Sequence, residues 1–226
     1  MPRFARVVLP DCLHHVTQRG NARRDVFFTP ADRQVYLGLL KQYSSYYRLR
    51  TFGFCLMTNH VHLVVAPVQE QSLAKTLREV HGRYASYRNT IEHATGHVWQ
   101  SRYYSCVFEG QRMASVMRYV ELNPVRAGLV RSAGDYAWSS ALMHLGGIDP
   151  LELLDLESWQ REWTPAEWAQ VLDAGAEGNA AIRAATFGGR PLASEQFVTE
   201  LEHRLNRKLT PATAGRHRKE SALALV

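Results

Sequence analysis

The chain has 226 residues, 46% of them hydrophobic, which is enough for one domain with a substantial core and an appendage. No apolar run approaches the ~18 residues of a membrane helix, and the N-terminal stretch has charges and a proline where a signal peptide is apolar, so we expect a cytoplasmic protein without a membrane partner. The odd number of cysteines, which are Cys12, Cys55 and Cys106, fits no closed disulfide framework.

The formal net charge of +6 is unevenly distributed. Residues 1–150 contain 18 Lys+Arg against 10 Asp+Glu, whereas residues 151–226 contain 9 against 11. Of those 18 cations, 16 are arginines, whose planar guanidinium groups suit phosphates and stack on bases. The first part therefore favours a nucleic-acid or phosphorylated substrate, although many moderately basic proteins have neither.

The first 110 residues predict alternating strands and helices. Proline and turn residues separate the segments, and Thr58 and Asn59 predict the turn of a hairpin. The predicted strands span about 13–20, 50–57, 60–67 and 102–108, and the predicted helices span 30–48 and 72–91. The order β-α-β-β-α-β predicts an α+β fold with a ferredoxin-like antiparallel sheet. Helices are expected on one face of this sheet, and the other face is expected to be free for a substrate.

Two histidines stand two residues apart at the start of the third predicted strand. Side chains at i and i+2 of a strand share one face, with Cα atoms roughly 6.5–7 Å apart, so His60 and His62 could bind one cation. The alternative is a pair of ordinary histidines on a half-solvated face.

A third predicted helix, about 111–123, contains Tyr119 and Asn123 one turn apart on the same face. An amide oxygen together with imidazoles and open positions suits Mg²⁺ or Mn²⁺. Spacing alone favours plainer interpretations, in which Tyr119 is a core residue and Asn123 ends the helix before Pro124.

The rest of the chain predicts a connector and an extension. Tyr136 and Trp138 are expected to anchor a packed connector over 124–145, and Gly146 and Gly147 suggest a boundary between a catalytic domain, 1–145, and a mostly helical extension, 146–226. The extension has an acidic helical segment over 151–180, one helix over 194–209 and a basic run at 215–219, which either is a solvated tail or contacts DNA.

Basic residues cluster at two predicted turns. Arg19, Asn21, Arg23 and Arg24 follow the first strand, and Arg102 stands among aromatic residues before the fourth. Both clusters are candidate DNA contacts or ordinary surface, and a core position is favoured for the neighbouring Trp99. His15 alone among the other histidines is expected to face the site.

The segments MTNHVHLVV, WQSRYY and RYVELNPVRAGLV occur in this order over about residues 4–145. This arrangement resembles the HUH single-tyrosine transposases of the insertion-sequence type, and among them the bacterial REP-associated tyrosine transposases. The resemblance implies that His60 and His62 bind Mg²⁺ or Mn²⁺, that Asn123 completes the metal site and that Tyr119 is the nucleophile. It also implies cleavage and rejoining of single-stranded DNA with hairpin-forming repeats, through a 5′-phosphotyrosine intermediate, by a nucleoid-associated protein.

Two other classes of function remain open at the level of sequence. A metal-dependent phosphodiester hydrolase could use the histidine pair with water as nucleophile. A non-catalytic nucleic-acid-binding module could use the ferredoxin-like sheet alone. Neither the DNA target nor the choice between a monomer and a homodimer follows from the sequence.

Overall fold

The structure, a computed structural model, describes residues 6–175 and 179–210. Its sheet has four strands, which are β1 (Leu13–Arg19), β2 (Leu49–Leu56), β3 (His60–Pro67) and β4 (Tyr104–Phe108). Their order is β2-β3-β1-β4, and every neighbouring pair is antiparallel. This arrangement confirms the predicted ferredoxin-like α+β fold and the hairpin through Thr58 and Asn59.

Two long helices pack on one face of the sheet. Helix α1 (Pro30–Tyr46) begins at Thr29, which forms a capping box with Asp32, and Pro30 occupies the first helical turn. Helix α2 (Ser72–Ile91) lies beside α1. Tyr36 and Tyr84 of these helices are fully buried against the strand residues that point to this face. Each such buried large side chain contributes roughly 1.5–3 kcal/mol.

The third helix is shorter than the sequence predicts. A single 3₁₀ turn, Gly110–Arg112, precedes α3 (Met113–Glu121), and a separate short helix, α4 (Asn123–Arg126), follows after Leu122. The break falls at Leu122, two residues before Pro124, which has no N–H to continue the hydrogen bonds of α3 and instead occupies the first turn of α4. Tyr119 therefore lies in the last turn of α3.

The expectation that the second face of the sheet is free is wrong. Residues of β2, β3 and β4 that point to this face include Cys55, Val64 and Cys106, all of which are buried. Helix α3 packs Met117 and Val120 into the same core cluster as Cys55 and Val64. A second helix, α8 (Asn179–Gly188), contacts β4 and β1. The face is apolar over most of its area and is therefore buried by a second layer of helices.

The described part of the predicted extension packs directly on this second layer. Its other helices are α6 (Leu156–Gln160), α7 (Pro165–Asp173) and α9 (Glu195–Leu205), and the connector before it contains α5 (Ala141–His144). Trp159, Trp168, Leu172 and Ile182 belong to the same hydrophobic cluster as residues of β2 and β3. The boundary at 145 stays a prediction, since a shared core is compatible with one unit as well as with two.

Helix α9 corresponds to the helix predicted over 194–209, whereas α8 was not predicted. The basic run at 215–219 lies outside the described residues. None of the helices in the described ranges combines the length and the apolar character that crossing a membrane requires.

Candidate active site

A cavity of about 380 Å³ opens between the second face of the sheet and helices α3, α4 and α8. All four residues predicted to form the metal site and the nucleophile line it, and they come from β3, the end of α3 and the start of α4: His60, His62, Tyr119 and Asn123. One chain thus brings the histidine pair and the tyrosine together without a second subunit.

The hydrogen bonds of His60 determine which nitrogen faces the cavity. The Nδ2 group of Asn59 donates to the carbonyl oxygen of Arg23, which identifies Oδ1 as the acceptor on the other side of the amide. His60 Nδ1 lies 2.7 Å from that oxygen and therefore donates to it. The lone pair of neutral His60 is left on Nε2.

A relay through two further residues gives His62 the same tautomer. Thr186 donates its only hydroxyl proton to the carbonyl oxygen of Ile182, so it must accept from His15 Nδ1, which lies 2.7 Å from Thr186 Oγ1. The unprotonated Nε2 of His15 then accepts from His62 Nδ1 at 2.9 Å. The two rings are 8° from parallel with centroids 5.1 Å apart, which agrees with a hydrogen bond in the ring plane. His62 is thereby also left with its lone pair on Nε2.

Both histidines are held neutral. Burial lowers the pKa of His60 to about 4, with a further contribution from the cations of Arg19 and Arg183. Burial, followed by the neighbouring His60 and His15 and by Arg126, holds the pKa of His62 well below its usual range. At neutral pH both imidazoles are therefore in the form that binds metal ions.

Tyr119 lies beside the histidines and between two arginines. Its ring makes edge contacts with the rings of His62 and His15, with centroids 5.6 Å apart in each case. The guanidinium carbon of Arg126 stands 4.7 Å from the centre of the phenol ring. On the outer side, Nε of Arg183 lies 3.4 Å from the phenol oxygen, which is a long hydrogen bond.

Asn123 is oriented by the end of α3. Its Nδ2 group donates to the carbonyl oxygens of Tyr119 and Val120, at 3.0 and 3.1 Å. These contacts provide donors for carbonyl oxygens of the last helical turn, where the helix itself has no further N–H groups to offer. They leave the side-chain oxygen as the atom with which Asn123 could bind a cation.

The donor set fits a divalent metal ion with open positions. It consists of two imidazole Nε2 atoms whose Nδ1 groups are held by acceptors, and one amide oxygen, which is fewer ligands than a closed zinc site has. Within the described ranges, no group of three or more His, Cys, Asp and Glu side chains is placed to hold a metal ion.

The predicted DNA-contacting residues fall in different places. Arg19 lines the cavity with the histidines. Asn21 and Arg102 line a second, open cavity of about 830 Å³ beside α2. Arg23 and Arg24 are exposed in a tight turn after β1. Trp99 is buried in the core, as predicted, and His15 does face the site.

Among the residues that line the cavity, sequence reasoning missed Arg126, Arg183 and Thr186. Arg126 belongs to the quoted NPVRAG segment, but nothing in its spacing links it to Tyr119. Arg183 and Thr186 lie on α8, whose sequence NAAIRAATFG is rich in alanine, a strong helix former. That composition could have predicted the helix, although not the place where it docks.

Comparisons with known proteins identify the family of the chain and support its fold. A model of the IS200-like transposases matches residues 9–123, half of the chain. The fold is similar to that of a REP-associated tyrosine transposase solved with a bound REP hairpin, with a TM-score of 0.57 and 15% identity, over 67% of this chain and 90% of that chain. A transposase-like protein of Deinococcus radiodurans R1 aligns with a TM-score of 0.38 and 15% identity, over 53% of this chain and 96% of that chain. This similarity is too weak to bear on the fold.

No curated protein matches the sequence. The chain belongs to the IS200-like transposase family and is a DNA transposase.

Proposed function

We propose that this transposase cleaves and rejoins single-stranded DNA through a covalent 5′-phosphotyrosine intermediate on Tyr119. The observation that supports this most directly is the placement of Tyr119 against His62, with ring centroids 5.6 Å apart in one cavity. The bound REP hairpin of the structurally similar transposase favours hairpin-forming repeats as the substrate.

The charges of the cavity favour a phosphate group. Three arginines line it, Arg19, Arg126 and Arg183, and no acidic residue does so in the described part of the chain. A concave site with one sign of charge attracts the opposite charge, and guanidinium groups match phosphate oxygens in pairs. The backbone of single-stranded DNA supplies such a phosphate at every nucleotide.

The covalent step balances without an external energy source. The phenol oxygen of Tyr119 attacks the phosphorus atom, and a phosphorus–oxygen bond forms while the bond to the 3′ oxygen of the neighbouring nucleotide breaks. The phenol loses one proton and the 3′ oxygen gains one, which leaves a free 3′-OH. Because one phosphodiester replaces another, a 3′-OH can reverse the step.

His60, His62 and Asn123 would hold the divalent cation, Mg²⁺ or Mn²⁺. When bound, the cation would withdraw electron density from the phosphate and orient it for in-line displacement. His60 and His62 each present Nε2 to the cavity, because Asn59 and His15 occupy their Nδ1 groups. Tyr119 holds its phenol oxygen at the same cavity, near Arg183.

The proposal is tested with labelled single-stranded oligonucleotides that form hairpins, in the presence of Mn²⁺, followed by a denaturing gel. We expect a protein–DNA band that is absent with Tyr119→Phe and absent after chelation by EDTA. His60→Ala should also lose the band while retaining most of its affinity for the oligonucleotide.

Other outcomes identify the competing functions. Cleavage that persists in Tyr119→Phe would indicate a metal-dependent hydrolase that uses water. Binding without cleavage of any hairpin tested would favour a non-catalytic module. The protein concentration at which the band forms also bears on assembly, because a site shared within a homodimer would lose activity on dilution.

A further inference from the structure

Arg126 is a half-buried cation whose hydrogen bonds are incomplete. Its Nη2 donates to the carbonyl oxygen of Tyr119 at 2.6 Å, but Nε and Nη1 are buried and have no hydrogen-bond partner among the described residues. Leaving donors of a charged group unsatisfied in the interior is unfavourable, so such groups usually have an absent partner. Arg126 also lines the cavity, so an anion there would offset its partly buried charge.

Arg183 approaches the same tyrosine from another helix of the second layer. It lies on α8, and its Nε group reaches the phenol oxygen of Tyr119 at 3.4 Å. A hydrogen bond of this length holds the guanidinium group of Arg183 only weakly. The remaining N–H groups of this guanidinium are suited to bind an oxyanion. The two arginines are separated by 57 positions in the sequence but flank one phenol group.

We propose that Arg126 and Arg183 form a clamp for the phosphate that Tyr119 attacks. This inference rests on the proposed function, since it assigns the oxyanion to the phosphodiester in that reaction. The clamp contacts two non-bridging oxygens and holds the phosphorus within reach of the phenol oxygen. Arg183 is then a catalytic residue outside the segment, residues 9–123, that matches the transposase family.

The clamp has a consequence for metal binding. The cavity presents three cationic side chains and no carboxylate within the described residues, which disfavours a divalent cation in the free protein. A bound phosphate neutralises part of this charge and supplies oxygen ligands. By linkage, the phosphate and the cation should therefore strengthen each other's binding.

The clamp is tested first without metal or DNA, by calorimetric titration of the full chain with inorganic phosphate in the presence of EDTA. We expect Arg183→Gln and Arg126→Gln to weaken phosphate binding by about tenfold or more, as loss of a charge-assisted hydrogen bond would. Arg131→Gln is the matched control, because it removes the same charge from an exposed residue outside the cavity. It should change the affinity by less than about twofold.

Folding is checked by thermal unfolding of each variant. Arg183 is exposed on α8, so Arg183→Gln should keep the melting temperature of the unmodified chain even if Arg126→Gln does not. Phosphate affinity equal in Arg183→Gln and Arg131→Gln would overturn the clamp, and so would the absence of phosphate binding to the unmodified chain.

The covalent assay separates this inference from the proposed function. If the Tyr119 adduct forms, Arg183→Gln should slow its formation at saturating DNA by at least tenfold relative to Arg131→Gln. If no adduct forms but phosphate binding still depends on Arg183, the anion site stands and the proposed transesterification fails. An adduct formed at the same rate by both variants would overturn the clamp alone.

Discussion

Individual hydrogen bonds decide how the histidine pair can react. His62 presents Nε2 to the cavity because His15 accepts from its Nδ1, and His15 can accept only because Thr186 takes up the proton on the other ring nitrogen. The tautomer of His62 is therefore determined by the hydroxyl group of Thr186, which is two hydrogen bonds away from it. Such outer partners typically change metal affinity by about 10–100-fold when they are lost.

Replacing Thr186 tests this relay. Thr186→Val keeps the volume of the side chain but removes the acceptor for His15 Nδ1, so His15 is expected to move its proton to Nε2 and His62 to lose its free lone pair on Nε2. We expect Mn²⁺ binding, measured by electron paramagnetic resonance with an oligonucleotide present, to weaken by about tenfold or more. Thr186→Ser retains the hydroxyl group and should bind Mn²⁺ like the unmodified chain. Equal affinity in both variants would argue against the relay.

At the scale of elements, helix α3 is held in place by a buried polar network at its last residue. Glu121 is fully buried and accepts hydrogen bonds from Ser140 at 2.5 Å, from His144 at 2.6 Å and from the indole N–H of Trp168 at 2.8 Å. Tyr119 stands two residues before Glu121. The connector and α7 thus fix the end of α3, and with it the position of Tyr119.

Removing this carboxylate should destabilise the protein strongly. Glu121→Leu is similar in volume but leaves the buried donors of His144 and Trp168 without an acceptor, while Ser140 retains the carbonyl oxygen of Phe54 at 3.3 Å. We expect the free energy of unfolding to fall by about 3–5 kcal/mol. Trp168→Phe, which removes one donor and retains an aromatic ring, should cost about 1–3 kcal/mol. Urea denaturation of the two variants measures both effects. A Glu121→Leu variant as stable as the unmodified chain would mean that packing replaces the network.

At the scale of the whole molecule, buried histidines make stability depend on pH. Burial lowers the pKa of His14 to about 4 and the pKa values of His15 and His81 to about 3. The unfolded chain, with histidine pKa values near 6.5, therefore binds more protons than the folded chain below that pH. Their contribution to stability is complete above about pH 6.5 and is lost as the pH falls toward 4.

We therefore expect the free energy of unfolding to decrease between pH 7 and pH 4.5, by about 2 kcal/mol for each of these histidines. Urea denaturation at the two pH values measures the decrease. His81→Gln keeps a polar partner for Tyr36, which lies 3.1 Å from His81 Nε2, but removes the titrating group. The variant should show a smaller decrease, and equal stability at both pH values in the unmodified chain would contradict this account.

The shared core predicts that the first 145 residues are not stable alone. A fragment of residues 1–145 loses Trp159, Trp168 and Ile182, which cover the second face of the sheet, and it loses one donor to Glu121. We expect the fragment to bind a hydrophobic dye and to lack the cooperative thermal unfolding of the full chain. A fragment that unfolds cooperatively near the temperature of the full chain would instead support the boundary predicted at 145.

Much of the site was accessible from local sequence patterns. Alternation and turn residues predicted the four strands, and the spacing of His60 and His62 placed both imidazoles on one face. The spacing of Tyr119 and Asn123 placed them on one side of a helix end, and the resemblance to transposases joined the two pairs. The metal and the roles of these residues stay predictions, while the fold class and the family are confirmed.

The sequence by itself determined the strands and long helices, the fold class and the two pairs of candidate site residues, because each depends on periodicities and turns within a short segment. Only the tertiary structure decided what surrounds them. The contact between His15 and Thr186 joins residues 171 positions apart, and that between Arg183 and Tyr119 joins residues 64 apart. Such contacts follow from how α3 and α8 dock on an apolar sheet face, and docking depends on the packing of many side chains at once, which no local spacing records.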